Sequence, residues 1–241
     1  MMAVAARQNY GCLLFKKATM NREITAIKAQ KHNPQRVSVF LDGEYGFGLS
    51  RFVAAWLEPG KKLSEADIAD LLEKDTYEIA FQKALQFIQH RPRSVEETRR
   101  RLLEKGFGED VVQTTLDKLQ EKGYLDDYYF ARLWIENRNT FRPRSSRLLT
   151  YELHQKGVAD ETIKQALEQF GGDENELAYQ AGIKKAKKCS DETKFDFRKK
   201  VGGFLGRRGF HYGIVKPTVE KLWENFAAEE VGRLDHKEKM E

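Results

Sequence analysis

The sequence contains little of the chemistry that metal and redox sites require. Its 241 residues include two cysteines and five histidines. Cys12 and Cys189 lie 177 residues apart and form no motif, a usage that fits a reducing cytosol rather than a disulfide-bonded protein. The histidines are scattered, with no His-x-x-x-His pair and no acidic residues at metal-ligand spacing. We therefore expect no metal, no cofactor and no disulfide.

Long apolar segments and nucleotide-binding loops are also missing. No stretch approaches the roughly 18 apolar residues that a transmembrane helix needs. Arg7, Gln8 and Asn9 interrupt the small apolar residues near the N-terminus, so no signal-peptide core is expected. The glycine-rich segment 202–209 lacks the Lys-Ser/Thr end of a phosphate-binding loop, and no predicted strand precedes it. These absences predict a cytoplasmic protein that is not an enzyme and has no catalytic residues.

What the sequence does contain is an internal repeat. The tetrapeptide Arg-Pro-Arg-Ser occurs at Arg91–Ser94 and again 51 residues later at Arg142–Ser145. Glycines follow the two copies at the same distance, at Gly106 and Gly157, and a weaker third copy at an offset of 52 residues includes Gly209. A period of this length is typical of stacked units that each form one small core.

Each copy predicts a unit of three helices. In the first unit, Ser94 and Glu97 form the pattern of a capping box, which begins a short helix directly after the proline turn. Gly106 then ends this helix in a left-handed conformation. A further amphipathic helix follows, in which Leu116 of the first unit and Leu167 of the second are expected to be equivalent core residues.

The third unit departs from this plan. Residues 187–190 (Lys-Lys-Cys-Ser) stand near the place of the Arg-Pro-Arg-Ser motif. Pro217 is expected to make the last helix start late or kink, because proline lacks an amide hydrogen and clashes with the preceding turn. Gly202 and Gly203 are unusual within a helix. Close helix packing and flexibility would each explain them.

The N-terminal part is predicted to contain a β-hairpin. Apolar residues alternate in 37–41 and again in 45–49, and Asp42-Gly43 supplies a turn between them. A strict two-residue loop would pair Leu41 with Glu44. The apolar residues of the two strands face each other better if Gly43 occupies a β-bulge, and we therefore expect the bulge there.

Together these patterns predict a mainly α protein: tandem three-helix-bundle repeats in an elongated array, with a small N-terminal β-hairpin region. The expected boundaries are a poorly ordered extension at 1–19, the hairpin region at 20–62, helical repeats at 63–125, 126–172 and 173–226, and a charged tail at 227–241.

Positive charge is segregated along the chain. The net charge is +5, but residues 184–216 carry eleven Lys and Arg against three acids. Such segregation favours a polyanionic or acidic partner, whereas a solvated helix face is the alternative interpretation. The candidate contact residues are Arg91, Arg93, Arg142, Arg144, Arg147, Lys184, Lys185, Lys187, Lys188, Arg198, Lys199, Lys200, Arg207 and Arg208.

Two interpretations stay open for each group of candidates. The arginines of the repeated motif lie directly before helix N-termini, which favour anions, but they could instead satisfy carbonyls of the preceding helix. The later basic residues alternate with Phe195, Phe197 and Phe204. This pattern is typical of single-stranded nucleic-acid binding, but also of the core face of a helix.

Three segments resemble the RecX family of bacterial regulatory proteins. They are Ser-Val-Glu-Glu-Thr-Arg-Arg-Arg-Leu-Leu-Glu-Lys-Gly-Phe at 94–107, Leu-Gln-Glu-Lys-Gly-Tyr-Leu-Asp-Asp at 119–127, and Phe-Ala-Arg-Leu-Trp-Ile-Glu-Asn-Arg at 130–138. The resemblance covers about residues 24–226 and is weakest in the third unit.

The resemblance implies a non-enzymatic regulator of the RecA recombinase in DNA repair, recombination and the SOS response. Such a protein would dock in the groove of the RecA–DNA filament and mainly inhibit its ATPase, strand-exchange and coprotease activities. The RecA filament is thus the expected partner, single- or double-stranded DNA is a further candidate, and a monomer without membrane contact is expected. Two alternatives are a DNA-binding array that acts without RecA and a purely structural helical adaptor.

Overall fold

The computed structural model describes the backbone of residues 21–238 and the side chains of residues 21–226. Within this part the chain forms two compact units, of which the first ends at Ile79 and the second begins at Ala80. The long helix α1 (Glu65–Gln89) contributes residues to both units.

The first unit is built on a four-stranded antiparallel sheet. Its strands are β1 (Arg22–Gln30), β2 (Asn33–Leu41), β3 (Glu44–Ser50) and the short β4 (Lys62–Leu63). Their order in the sheet is β3-β2-β1-β4. The predicted hairpin is present as β2 and β3, and a short 3₁₀ helix (Val53–Trp56) follows it. Ile24, Val39, Leu41 and Leu49 form the centre of the core.

The turn of this hairpin differs from the prediction. Leu41 pairs with Glu44, so the loop has two residues, Asp42 and Gly43, with φ angles of 52° and 89°. Two positive φ angles are the signature of a type I′ turn, whose twist suits a hairpin without a bulge. Asp42 is held in this conformation because its carboxylate accepts a 2.9 Å hydrogen bond from the amide of Glu23. The expected bulge at Gly43 is therefore wrong.

The irregularity lies at Gly46 instead. Val39 pairs with Phe47 and Phe40 pairs with Tyr45, which leaves Gly46 as the extra residue of β3. A Cβ atom at Gly46 would lie 3.0 Å from Cγ of Leu41. The chain thus places its bulge where a side chain would crowd the core.

The second unit consists of three successive helical repeats, as predicted. Repeat 1 combines the second half of α1 with α2 and α3, repeat 2 comprises α4, α5 and α6, and repeat 3 comprises α7, α8 and α9. Their bounds are α2 (Val95–Glu104), α3 (Glu109–Glu121), α4 (Asp127–Phe141), α5 (Ser146–Gln155), α6 (Asp160–Phe170), α7 (Glu174–Ala186), α8 (Lys194–Arg207) and α9 (Tyr212–Glu238). A 3₁₀ turn (Lys187–Cys189) follows α7.

Local sequence signals explain where these helices begin and end. The capping box of Ser94 and Glu97 is formed at the start of α2. Gly106, Gly157 and Gly209 have φ angles of 84°, 77° and 88° and end the middle helix of each repeat, because glycine adopts this conformation without a Cβ penalty.

Each repeat has its own apolar core. Leu116 is completely buried in repeat 1, whereas Leu167 in repeat 2 is only partly buried. The two leucines occupy equivalent positions and both pack on the core of their repeat, but Leu167 is less enclosed. The fully enclosed positions of α6 are Ile163 and Ala166, which match the buried Val112 and Thr115 of α3 at the 51-residue offset.

The last helix also differs from expectation. Helix α9 begins at Tyr212, three residues after Gly209, just as α6 begins three residues after Gly157. Of the two expected effects, the late start is therefore wrong; Pro217 lies inside the helix, and a kink there stays a prediction. Its missing amide removes one helical hydrogen bond in the second turn of α9.

Candidate partner-binding surfaces

The repeated Arg-Pro-Arg-Ser motif lies at the junctions between repeats. Ser94 is fully buried. Its Oγ accepts a 3.0 Å hydrogen bond from the amide of Glu97 and donates a 2.6 Å hydrogen bond to the carbonyl of Lys156 in repeat 2. One hydroxyl therefore caps the start of α2 and also satisfies a carbonyl at the end of α5, where the helix itself supplies no donor.

Charged groups surround this first junction. Glu97 accepts hydrogen bonds from Arg91 at 3.0 Å and from Nζ of Lys156 at 2.8 Å. Burial alone would raise the pKa of Glu97, but the hydrogen bonds from these two cations outweigh it and the pKa lies below its usual value. Asp127 of repeat 2 accepts from the amide of Val95 at 2.9 Å. Burial raises the pKa of Asp127 despite that bond.

At the second junction, the motif serine again bonds to the carbonyl before a helix-ending glycine, but through its backbone amide instead of its hydroxyl. The amide of Ser145 donates a 3.1 Å hydrogen bond to the carbonyl of Arg208, and Nη1 of Arg208 donates at 3.2 Å to the carbonyl of Pro143. Lys156 and Arg208 are 52 residues apart. In both junctions, the carbonyl of the residue before the helix-ending glycine therefore accepts a hydrogen bond from the serine of the preceding repeat.

Two of the helix-ending glycines also permit close contact across the junctions. A Cβ atom at Gly157 would lie 2.3 Å from Cβ of Glu96, and one at Gly209 would lie 2.4 Å from Oγ of Ser145. The equivalent Gly106 has no neighbouring atom within 4 Å of such a position. Gly157 and Gly209 therefore serve both backbone conformation and repeat packing, whereas Gly106 serves conformation alone.

Three of the five candidate arginines interact within the protein. Arg91 pairs with Glu97, Arg93 lies 3.9 Å over the ring of Phe87, and Arg144 pairs with Glu152. Glu152 also accepts from Arg138 and from the indole of Trp134, at 2.9 and 2.8 Å.

Arg142 and Arg147 differ from these three. Both side chains are exposed, and neither has a side-chain partner among residues 21–226. Contact of any of the five arginines with a partner molecule stays a prediction, and these two are the most available for it.

The basic residues of repeat 3 also fall into two groups. Arg198 forms a 2.6 Å ion pair with Glu220, Lys200 pairs with Glu192, and Arg208 belongs to the second junction. The others have no ion-pair partner within the described side chains, and all are exposed except the half-buried Lys185; they are Lys184, Lys185, Lys187, Lys188, Lys199 and Arg207.

The interleaved phenylalanines do not form one surface. Phe197 is fully buried in the core of repeat 3, where its ring packs 5.1 Å from that of Trp223. Phe204 is partly buried against the same core, whereas Phe195 is 73% exposed. The core interpretation is therefore correct for Phe197 and Phe204, and Phe195 alone remains available for stacking.

A groove runs between α8 and α9 of repeat 3 and has a volume of about 640 Å³. Gly202, Gly203 and Gly206 line it on α8, with Arg198 and Lys199 at its edge. Residues of α9 and the preceding loop complete it: Phe210, Tyr212, Val215, Lys216, Val219 and Glu220. The groove combines an apolar floor with a cationic edge.

Several residues at these surfaces were not found from the sequence. The first junction is held by Lys156 and Asp127, and the arginines of repeat 2 pair with Glu152. The groove is bordered by Tyr212 and Lys216. A sequence signal existed for Lys156, because Lys105, Lys156 and Arg208 each directly precede a helix-ending glycine. No comparable signal identifies Asp127 or Glu152.

Among the residues that the structure describes, no group of three His, Cys, Asp or Glu side chains could hold a metal ion. Within the same part of the chain, no helix is both long and apolar enough to cross a membrane. The fold and its junctions define a protein in which a small antiparallel sheet is followed along the chain by tandem three-helix repeats.

Family models account for each of these parts. A RecX N-terminal domain model matches residues 22–64, and models of the first, second and third three-helix domains of RecX match residues 80–119, 126–167 and 173–219. The chain belongs to the RecX family of regulatory proteins.

Individual relatives agree with this assignment. Regulatory protein RecX of Bacillus pumilus is 31% identical over 83% of this chain and 78% of its own length, and that of Bacillus velezensis is 33% identical over 84% and 78%. A crystal structure of regulatory protein RecX superposes with a TM-score of 0.66 at 25% identity and covers 81% of this chain and 97% of the other. RecX from Lactobacillus salivarius, at 19% identity, shares the fold with a TM-score of 0.54 over 62% of this chain and 97% of its own.

Proposed function

We propose that this protein binds the RecA–DNA filament in the cytoplasm and lowers its ATPase, strand-exchange and coprotease activities. It does so as a monomer and without catalysing a reaction itself. The observation that carries the proposal is that all four RecX domain models match this chain in order. Repeats 2 and 3 also present exposed cations that have no ion-pair partner within residues 21–226.

Electrostatics supports a filament as the partner. A RecA–DNA filament combines acidic side chains with nucleic-acid phosphate, and exposed cations attract both. Arg142 and Arg147 in repeat 2 and Lys199 and Arg207 in repeat 3 are exposed and have no ion-pair partner within residues 21–226. Binding there requires no break of an internal ion pair.

The repeat design supports contacts with successive subunits of the filament. The same serine-to-carbonyl junction recurs after 51 residues at the serine and 52 at the carbonyl, so equivalent surfaces occur once per repeat. A partner that is itself a repeating assembly can engage such a series, and each added contact then raises the overall affinity.

A RecA ATPase assay tests the proposal. Added at substoichiometric to equimolar ratios, the protein is expected to lower the DNA-dependent ATPase of its cognate RecA and to slow strand exchange and coprotease cleavage. Unchanged rates at micromolar protein would refute the proposal. Binding to bare DNA with a steep salt dependence but no effect on RecA would instead favour a DNA-binding array.

A charge variant tests the surface separately. Changing Arg142, Arg147, Lys199 and Arg207 to Ala should raise the concentration for half-inhibition at least about fourfold, because four exposed charge contacts contribute about 0.2–1 kcal/mol each. The matched control changes four exposed lysines outside the candidate set: Lys83, Lys105, Lys122 and Lys164. Equal inhibition by both variants would show that these four cations do not contact the filament.

Salt dependence then identifies the contacted group. Each lost phosphate contact lowers the slope of log affinity against log salt by about 0.9 on duplex DNA and about 0.7 on single strands. Contacts with RecA carboxylates are salt-sensitive without following this counterion relation.

A further inference from the structure

The two helices that border the groove, α8 and α9, contribute lining residues at the same spacing. On α8, Gly202 and Gly206 lie one helical turn apart, and on α9 Val215 and Val219 do the same. The groove floor is apolar, since Phe210, Val215 and Val219 are at most 7% exposed. Its volume of about 640 Å³ lies in the range of binding pockets.

The three glycines of this groove are not required by the fold. Their φ angles are not positive. A Cβ atom at Gly202 would lie 3.7 Å from Val215, one at Gly203 would lie 3.5 Å from Arg207, and one at Gly206 would have no neighbour within 4 Å. Alanine would therefore fit at each position and would favour the helix more than glycine does.

Gly182 in the same repeat shows the contrast. A Cβ atom there would lie 2.5 Å from Cδ1 of Leu222, so Gly182 is a packing glycine. Neither close packing nor an unusual backbone conformation accounts for Gly202, Gly203 and Gly206. What they share is that each keeps one wall of the groove free of side chains.

The shape and charge of the groove indicate what it holds. Rows of side chains spaced four residues apart receive the corresponding ridge of another helix, and glycine lets a second backbone approach closely. Lys199 and Lys216 at the edge are exposed, and Arg198 beside them is already paired with Glu220. An apolar stripe with acidic residues on its flanks is complementary to this arrangement.

Nucleic acid fits the groove less well. Single-stranded binding surfaces stack bases on exposed aromatic rings. At this groove only the ring of Tyr212, which is 71% exposed, is available among the described side chains, because Phe210 is buried. Valines that form the floor offer neither stacking nor hydrogen bonds.

We propose that this groove receives a short amphipathic helix of the recombinase, with acidic residues on both sides of its apolar stripe. The proposal rests on the function proposed above and assigns the protein-contacting role to repeat 3. Gly206 determines access to the site, and Lys199 and Lys216 select for acidic flanks.

Filling the groove tests the proposal. Gly206→Leu should leave the melting temperature unchanged or higher, yet weaken binding to cognate RecA assembled on oligo(dT) at least tenfold, whereas Gly206→Ala should weaken it little. If the parent protein does not bind the filament, the proposed function and this inference both fail. If the parent binds and Gly206→Leu binds equally well, the groove inference alone is overturned.

A charge pair provides a variant that leaves the groove shape intact. Lys199→Glu with Lys216→Glu should weaken binding at least tenfold. The control is Lys122→Glu with Lys164→Glu, which changes two exposed lysines outside the candidate contact set that do not line the groove. Equal losses in both pairs would mean that general charge, not the groove, controls binding.

Crosslinking identifies the occupant directly. A photoreactive phenylalanine analogue at position 212 of the full-length protein should crosslink, within the assembled filament, to a RecA peptide that is acidic and has apolar residues at helical spacing. A crosslink to the oligo(dT), to a peptide without these features, or to no part of the filament would overturn the assignment.

Discussion

Replacing Gly157 with alanine is expected to destabilise the protein more than the same change at Gly106. Both glycines end the middle helix of a repeat, and their φ angles are similar, 77° and 84°. They differ in their surroundings. A Cβ atom at position 157 would lie 2.3 Å from Cβ of Glu96 and 2.4 Å from its Cγ, whereas one at position 106 would have no neighbour within 4 Å.

A comparison of the two glycines separates the energetic cost of the left-handed conformation from the cost of steric overlap across the junction. A left-handed conformation costs a residue with a Cβ atom about 1–2 kcal/mol, and this cost applies at both positions. At Gly157 the overlap adds about 1–3 kcal/mol, as overpacking does in a core, because the Cβ atom of Glu96 cannot move without moving α2. We therefore expect a loss of about 1–2 kcal/mol for Gly106→Ala and of about 2–5 kcal/mol for Gly157→Ala.

Urea and thermal unfolding followed by circular dichroism measure the difference. For a chain of this size, 1 kcal/mol shifts the melting temperature by about 2–4 °C. Amide hydrogen exchange should show the additional opening of Gly157→Ala at the end of α5 and the start of α2. Equal losses at the two positions would refute the conclusion that Gly157 is packed across the junction. Gly209→Ala should behave like Gly157→Ala, because its Cβ atom would lie 2.4 Å from Oγ of Ser145.

Three further outcomes are expected from unfolding measurements. Leu116→Ala should cost about 2–5 kcal/mol as a fully buried leucine does, and Leu167→Ala should cost clearly less because that side chain is only partly buried; equal costs would contradict the observed packing. Ser94→Ala should destabilise more than Thr193→Ala, since both residues cap a helix but Ser94 also binds a carbonyl of the next repeat, and an equal loss of about 1 kcal/mol would indicate capping alone. Because the pKa of Glu97 is lowered from 4.5, the ionised carboxylate stabilises the folded protein above that pH, and this contribution is lost as the pH falls through the folded-state pKa. Glu97→Gln should therefore lose less stability on acidification than the parent does. Identical pH profiles would argue against the ion pairs of Glu97.

Features that depend on neighbours in the sequence could be predicted without the structure. The capping box joins residues three positions apart, and a helix-ending glycine responds to its own backbone angle, so Ser94, Glu97 and Gly106 were identified from local spacing alone. The 51-residue offset gave the number and type of repeats because each repeat must form its own core. The same local logic failed at Gly43, because the carboxylate of Asp42 stabilises a left-handed turn without a bulge.

Only the tertiary structure decided which residues meet across the repeats. Ser94 donates to a carbonyl 62 residues away, and Gly157 is required to be small by Glu96 of another repeat. These contacts depend on how one repeat packs on the next, and sequence spacing does not encode that orientation. The partners of the arginines depend on packing within a repeat. The recurrence of the arginines was visible in the sequence, but the turns before α2 and α5 decide that Arg93 lies on the ring of Phe87 and that Arg144 meets the carboxylate of Glu152.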